Sequence, residues 1–207
     1  MFEELEEVLV PISIKDSSLP DPRDVTYWKA RQNRTFYLDY MIDENCDAVE
    51  LAKIIIQMNA EEKNIPEEEL KPIYLWIFSL GGDTYQCDML CDILEASRIP
   101  IVTINMGLAI SSGFFIFLAG KRRYCFEKST FMVHNGFLSL SGRTDDVDSA
   151  HKNYKKELDR SKEYVLKHTT IDDKTYKKNQ NKDWYMDANE AVQYGIATLV
   201  SSFDEIV

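Results

Sequence analysis

Two adjacent serines, Ser111 and Ser112, interrupt the apolar run GLAISSGFFIFLAG at residues 107–120. A serine at the point where a strand turns into a helix can do two things. It can cap the helix, its side-chain oxygen accepting one of the free N–H groups of the first turn. It can also act as a nucleophile, because the turn exposes Oγ while the same N–H groups and the positive end of the helix dipole stand ready to stabilise an oxyanion. The sharp elbow G-x-S-x-G presents a serine in this way. Here the five residues are AISSG, with Ala109 at the first glycine position, and both readings stay open.

A serine nucleophile needs a base, and the base needs a third group to hold its orientation. His134 closes the apolar segment STFMVH; it is either a core or rim residue or that base. Asp183 precedes Trp184 and Tyr185 near the start of the last strand-helix unit, as a solvated carboxylate or as the orienting group. Gly81 and Gly82 follow an apolar strand and precede a helix. They form either a plain tight turn or a place where backbone comes close to a ligand and offers an N–H. His151 and His168 fall on or near a long polar helix and read as surface residues. The four cysteines, Cys46, Cys87, Cys91 and Cys125, contain no C-x-x-C pair, and Cys87 and Cys91, four apart in a helical pattern, read as core filling. Without a Cys/His cluster or an H-E-x-x-H segment, no metal site is expected.

The elements that must carry these residues alternate between strand and helix. Strands are expected at 8–14 (VLVPISI), 35–40, 73–79 (IYLWIFS), 99–107 and 129–134, with a further strand and turn in RRYCFEK and a last one in ATLVSSF. SSLPDPRD and EEKNIPEEELKP read as polar loops. Helices are expected at 47–58, at 84–97 with Met89, Leu90, Ile93 and Leu94 inward, over 107–120, and from about Thr144 to His168. The last carries one apolar stripe of Val147, Ala150, Tyr154, Leu158 and Val165. Asp187 with Glu190 forms a capping box, and Gly195 a helix stop. Strands that are apolar throughout point to an α/β fold with helix-covered parallel strands.

The 207 residues are 44% hydrophobic and 12% aromatic, enough for one core and one domain over 1–207, without repeats or low-complexity segments. A net charge of −11 argues against nucleic acid or an anionic membrane surface as partner. The acidic start MFEELEEVLV lacks the pattern of a signal peptide, and no apolar run is long enough to span a bilayer. A reduced, cytoplasmic location is the expectation.

Taken in order, Gly-Gly, Ser, His and Asp resemble the ClpP family, the proteolytic subunits of Clp serine proteases. The family's G-x-A-x-S-x-G appears as GLAISSG, its S-P-G-G turn as SLGGD, its M-I-H-Q-P strand as MVHNG, and its aspartate segment as KDWYMDANEAVQYG; LVPISI resembles its N-terminal loop entry. The resemblance implies a ClpP/crotonase-like superhelix of ββα units, with an N-terminal loop region at 1–20 and a protruding handle region at about 135–169. It implies Ser111 as nucleophile, His134 as general base and Asp183 as its support, with the backbone N–H groups of Gly82 and Ser112 as oxyanion hole. It implies homo-oligomeric, heptameric rings stacked in pairs, fed with unfolded polypeptide by an AAA+ unfoldase that consumes ATP, the chain itself carrying no cofactor. Tyr74 and Trp76 match aromatic positions of the unfoldase-docking cleft. The chain departs from the family at Leu80, at Gly136, at Lys182 in place of Arg and at Ala96 near the docking cleft; the loop after His134 and Lys182 bear on substrate pairing and ring contacts. Alternatives are a non-catalytic ring subunit, a phage capsid-maturation peptidase, and an acyl-CoA enzyme of the related crotonase fold.

Overall fold

The computed structural model describes residues 22–43, 48–136 and 139–206. The expected strand at 8–14, the 1–20 loop region, Cys46 and residues 17–21 of the polar loop lie outside them. Helix α1 (Pro22–Gln32) is followed by β1 (Thr35–Leu38), α2 (Ala48–Glu61), β2 (Ile73–Ser79), α3 (Thr84–Ala96) and β3 (Ile101–Ile110). Then come α4 (Ser112–Leu118), β4 (Arg122–Cys125), β5 (Thr130–Val133), α5 (Thr144–His168), α6 (Asp173–Asn179), β6 (Trp184–Met186), α7 (Ala188–Gln193) and β7 (Thr198–Leu199). The chain is a mixed α/β protein built on a parallel sheet, as its alternating elements predict. Helix α1 takes up the last three residues of SSLPDPRD, read from sequence as loop. A proline in a first helical turn loses no hydrogen bond, because that N–H has no helical partner.

The path β1-β2-β3-β4-β7 runs with parallel neighbours throughout, and β5 pairs in parallel with the far end of β3. β6 adds to β5 antiparallel. Alternation along β2 buries Ile73, Leu75, Ile77 and Ser79 on one face and leaves Tyr74, Trp76 and Phe78 on the other. The first face meets Leu51 and Ile55 of α2 and Leu90 and Leu94 of α3 in the main core. Cys87 and Cys91 fill that core as free thiols 4.0 Å apart. Behind Ser112, α4 buries Phe114 and Phe117, both edge-to-face against Phe131 of β5.

Three expectations are corrected. The segment 107–120 is not all helix: β3 continues through Ile110, because Leu108–Ile110 find parallel partners in Thr130–Met132, and only Ser112–Leu118 is helical. The apolar stripe of α5 is covered unevenly: Val165 is buried and Val147, Tyr154 and Leu158 are half-buried, but Ala150 is exposed. His151 is exposed, but His168 is not a surface residue. It lies where α5 reaches α3, its ring 4.1 Å from that of Tyr164, Nδ1 bonded to the Tyr164 carbonyl at 2.8 Å and Nε2 3.1 Å from Glu95.

Arg123 joins these helices. Its guanidinium donates to the carbonyls of Leu118, His168 and Gly195 at 2.8–3.1 Å, which end or follow α4, α5 and α7. One cation thus satisfies orphan carbonyls at three negative helix ends. Replacing Arg123 with Ala leaves those carbonyls unpaired and is expected to cost about 2–4 kcal/mol, to be read by thermal unfolding at fixed protein concentration. Arg123→Lys, with a single ammonium, recovers only part of it.

Candidate active site

The sheet register brings the chemistry together. In the β3–β5 ladder Ile110 stands beside Met132, and the next residue, Ser111, donates its N–H to the Met132 carbonyl at 2.8 Å. In the β5–β6 ladder Val133 pairs with Trp184, so His134 and Asp183 are the next opposed pair. The three residues therefore meet at the carboxyl ends of β3 and β5, the edge where open α/β sheets bind ligands. Ser111 Oγ lies 2.9 Å from His134 Nε2, and His134 Nδ1 lies 3.1 Å from Asp183 Oδ1. Both contacts are satisfied at once when Nδ1 carries the proton and donates to the carboxylate, leaving Nε2 to accept from the serine hydroxyl. The His134 side chain is 15% exposed and that of Asp183 55%, so the carboxylate meets water while the imidazole is largely shielded.

Ser111 itself is held at φ 53°, ψ −123°, a region non-glycine residues seldom occupy. Its side chain makes no capping bond to the helix, so Oγ is free to face the histidine. Its carbonyl meanwhile accepts from Phe114 and Phe115 N–H, which starts α4. The cap expected as the plain alternative is thus replaced by a strained strand-to-helix turn.

Beside it runs the turn Leu80–Gly82. A Cβ on Gly81 would lie 2.7 Å from both the Ile110 carbonyl and Ser111 Cβ, and one on Gly82 only 2.0 Å from the Ile42 carbonyl; both glycines also have positive φ, 90° and 142°. Only glycine fits either place. The turn is held from outside by Ile42, which donates its N–H to Gly81 O at 2.8 Å and accepts from Asp83 N–H at 2.7 Å. Ser79 holds it from below, its hydroxyl donating to Tyr40 O and accepting from Gly81 N–H. Among the described residues the N–H groups of Gly82 and Ser112 have no protein acceptor.

Sequence reasoning did not single out Ile42, Ser79 or Tyr154 for these positions. Tyr154, read only as part of the helix stripe, donates its hydroxyl to the carbonyl of Asn135 at 2.5 Å and so ties α5 to the residue that follows His134. A polar residue ending an apolar strand just before Gly-Gly was the signal available for Ser79; nothing local marks Ile42. Tyr74 and Trp76 lie on the other face of β2, away from Ser111. Trp76 packs against Phe126 and Phe203 at 6.4 and 6.0 Å, over a small core of Val102, Ile104, Val200 and Ile206. The buried thiols offer no rival nucleophile: burial pushes Cys125 up to about 11, and Cys91, packed on Cys87, is likewise raised. Among the described residues no group of His, Cys, Asp and Glu could hold a metal ion, and no helix is long and apolar enough to cross a membrane.

The strain at Ser111 makes a prediction. Ser111→Gly, which removes the Cβ from a positive-φ site, is expected to be more stable than Ser111→Ala by about 1–2 kcal/mol. Thermal unfolding of the two variants side by side checks it; equal stability means that the turn relaxes when Oγ is lost.

The sequence matches the family model described as Clp protease over residues 27–203. It is 27% identical over 128 residues to the ATP-dependent Clp protease proteolytic subunit 2 of Treponema pallidum, a match covering 61% of this chain and 64% of that protein. It is 28% identical over 133 residues to the ATP-dependent Clp protease proteolytic subunit 2 of Treponema denticola, covering 63% and 66%. The chain therefore spans just under two thirds of the length of each relative. The family match, in contrast, runs from α1 to the last turn and contains every residue of the Ser-His-Asp chain and both glycines: this protein belongs to the Clp protease family.

Proposed function

We propose that this chain is a serine peptidase, the proteolytic subunit of a Clp-type assembly, and that Ser111, His134 and Asp183 carry the reaction. The observation that carries the reading is the continuous hydrogen-bond chain from Ser111 Oγ through His134 to Asp183, beside two N–H groups that have no protein acceptor among the described residues. His134 Nε2 takes the hydroxyl proton as Ser111 Oγ attacks the carbonyl carbon of a peptide bond. The negative charge that develops on the carbonyl oxygen is met by the N–H groups of Gly82 and Ser112. Asp183 faces the imidazolium that forms and keeps its orientation. As the tetrahedral intermediate collapses, the C–N bond breaks, Nε2–H protonates the leaving amine, and an ester on Ser111 remains. A water molecule, deprotonated by His134, then attacks the ester; the carboxylic acid leaves and the hydroxyl of Ser111 is restored. Nothing in this sequence calls for a cofactor in the chain, and ATP belongs to an unfoldase partner.

The substrates in this reading are unfolded polypeptides and peptides, and the working form is a homo-oligomeric ring, stacked in pairs. Tyr74 and Trp76, half-buried beside Phe126, would present their remaining faces to the unfoldase.

A phosphonofluoridate probe tests the chemistry. It is expected to label Ser111 and to lose more than about 100-fold in rate in His134→Ala, since the unassisted hydroxyl is a weak nucleophile. Labelling that persists in Ser111→Ala rules the assignment out. Native mass spectrometry combined with peptide hydrolysis tests the assembly: activity is expected in the ring species. An inactive homo-oligomer that gains activity only in mixed rings would instead identify a non-catalytic subunit.

A further inference from the structure

The two N–H groups assigned to the oxyanion hole belong to separate segments, 30 residues apart, and something must set the distance between them. Within the Gly81–Gly82 turn, the orientation of the Gly82 N–H is fixed by Ile42. A trans peptide points its N–H opposite to its carbonyl, and the Gly81 carbonyl is held on the Ile42 N–H at 2.8 Å. That bond orients the donor but does not reach helix α4. A side-chain hydrogen bond does: Ser112 Oγ donates to the Gly82 carbonyl at 2.9 Å. Ser112 is 2% exposed, so the donor end of this bond is buried, while Gly82 itself stands at the surface. The peptide that follows, Gly82–Asp83, is thereby gripped at both ends, its carbonyl by Ser112 and its N–H by the Ile42 carbonyl at 2.7 Å. With φ of 90° and 142° on successive glycines, the turn has little stiffness of its own, and Leu80 supplies no ring constraint on its φ.

We infer that Ser112 is a positioning residue through its hydroxyl, separately from its backbone N–H: it clamps the Gly82 carbonyl to the start of α4 and so fixes the spacing of the two oxyanion donors. Its kinetic consequence rests on the peptidase reading above; the clamp itself does not. An interaction that matters only where charge develops on the carbonyl oxygen should change kcat and leave KM alone.

The test compares Ser112→Ala and Ser112→Cys with the intact chain in its assembled form. Hydrogen–deuterium exchange of the segment 79–86 reads the clamp. Hydrolysis of a fluorogenic peptide and the rate of Ser111 labelling by the phosphonofluoridate read its effect. Ser112→Ala is expected to speed exchange at Asp83 and to lower kcat about 10- to 100-fold, less than the loss of a whole oxyanion donor, with KM within about twofold. Ser112→Cys, whose S–H is a weaker donor at the same place, should fall between the two and guards against a variant that does not fold. Unchanged exchange at Asp83 in a folded Ser112→Ala overturns the clamp, and so does unchanged kcat in an active assembly. If the unaltered chain neither hydrolyses peptide nor reacts at Ser111, the peptidase reading fails, and exchange at Asp83 still decides for or against the clamp.

Discussion

The site depends on what happens at Asn105, where β3 changes partners. Up to that residue β3 runs alongside β4; beyond it, at Leu108–Ile110, it runs alongside β5. β2 follows the change through a register shift between Ile77 and Phe78. The Asn105 side chain is fully buried and spans the break, its Nδ2 donating to Thr130 O at 3.0 Å and its Oδ1 accepting from Gly107 N–H at 2.8 Å. Its own carbonyl accepts from the Ser129 hydroxyl. A buried amide with both ends satisfied in this way specifies one arrangement, since any other leaves it unpaired in the core. Once β5 is locked to the far end of β3, and β6 to β5, Ser111, His134 and Asp183 have no freedom to be anywhere but together.

Strain at Ser111 is sustained by rigid surroundings. A positive φ at a non-glycine residue persists only where neighbours over-determine it. Here the Ser111 N–H is tied to Met132 and its carbonyl to the first turn of α4. The helix behind it is wedged by Phe114 and Phe117 against Phe131. The far end of the same helix is held by Arg123, which binds it to the ends of α5 and α7. A guanidinium serves here better than an ammonium, because its planar fork faces all three carbonyls from one fixed geometry.

The long helix α5 is joined to the site as well as to the core. Its C-terminal turn is docked through Val165, His168 and the Lys167–Glu95 ion pair, while Tyr154, higher on the helix, reaches the Asn135 carbonyl beside His134. A shift of α5 would therefore be felt at the backbone next to the imidazole. This matters because Asn135 and Gly136 replace the glutamine and proline of the family pattern, leaving that segment without a ring constraint of its own.

Read without coordinates, the chain already discloses its alternating strands and helices. The apolar runs 73–79 and 129–134, the helical spacing within 84–97 and the capping box at Asp187 are local patterns, and local patterns survive in sequence. The order of Gly-Gly, Ser, His and Asp, with their flanking motifs, points to a family in the same way. What could not be read locally was decided by pairing at a distance. Nothing in GLAISSG says that Leu108–Ile110 remain strand, because their partners are Thr130–Met132. Nothing near His168 says that Glu95 of α3 will meet its ring, and nothing near Ile42 or Ser112 says that they will grip the two glycines. Residue types and spacings were set by the sequence alone. The register that turns Ser111, His134 and Asp183 into neighbours, and the hydrogen bonds that hold the Gly81–Gly82 turn against α4, exist only once segments far apart in the chain compete for the same backbone donors and acceptors.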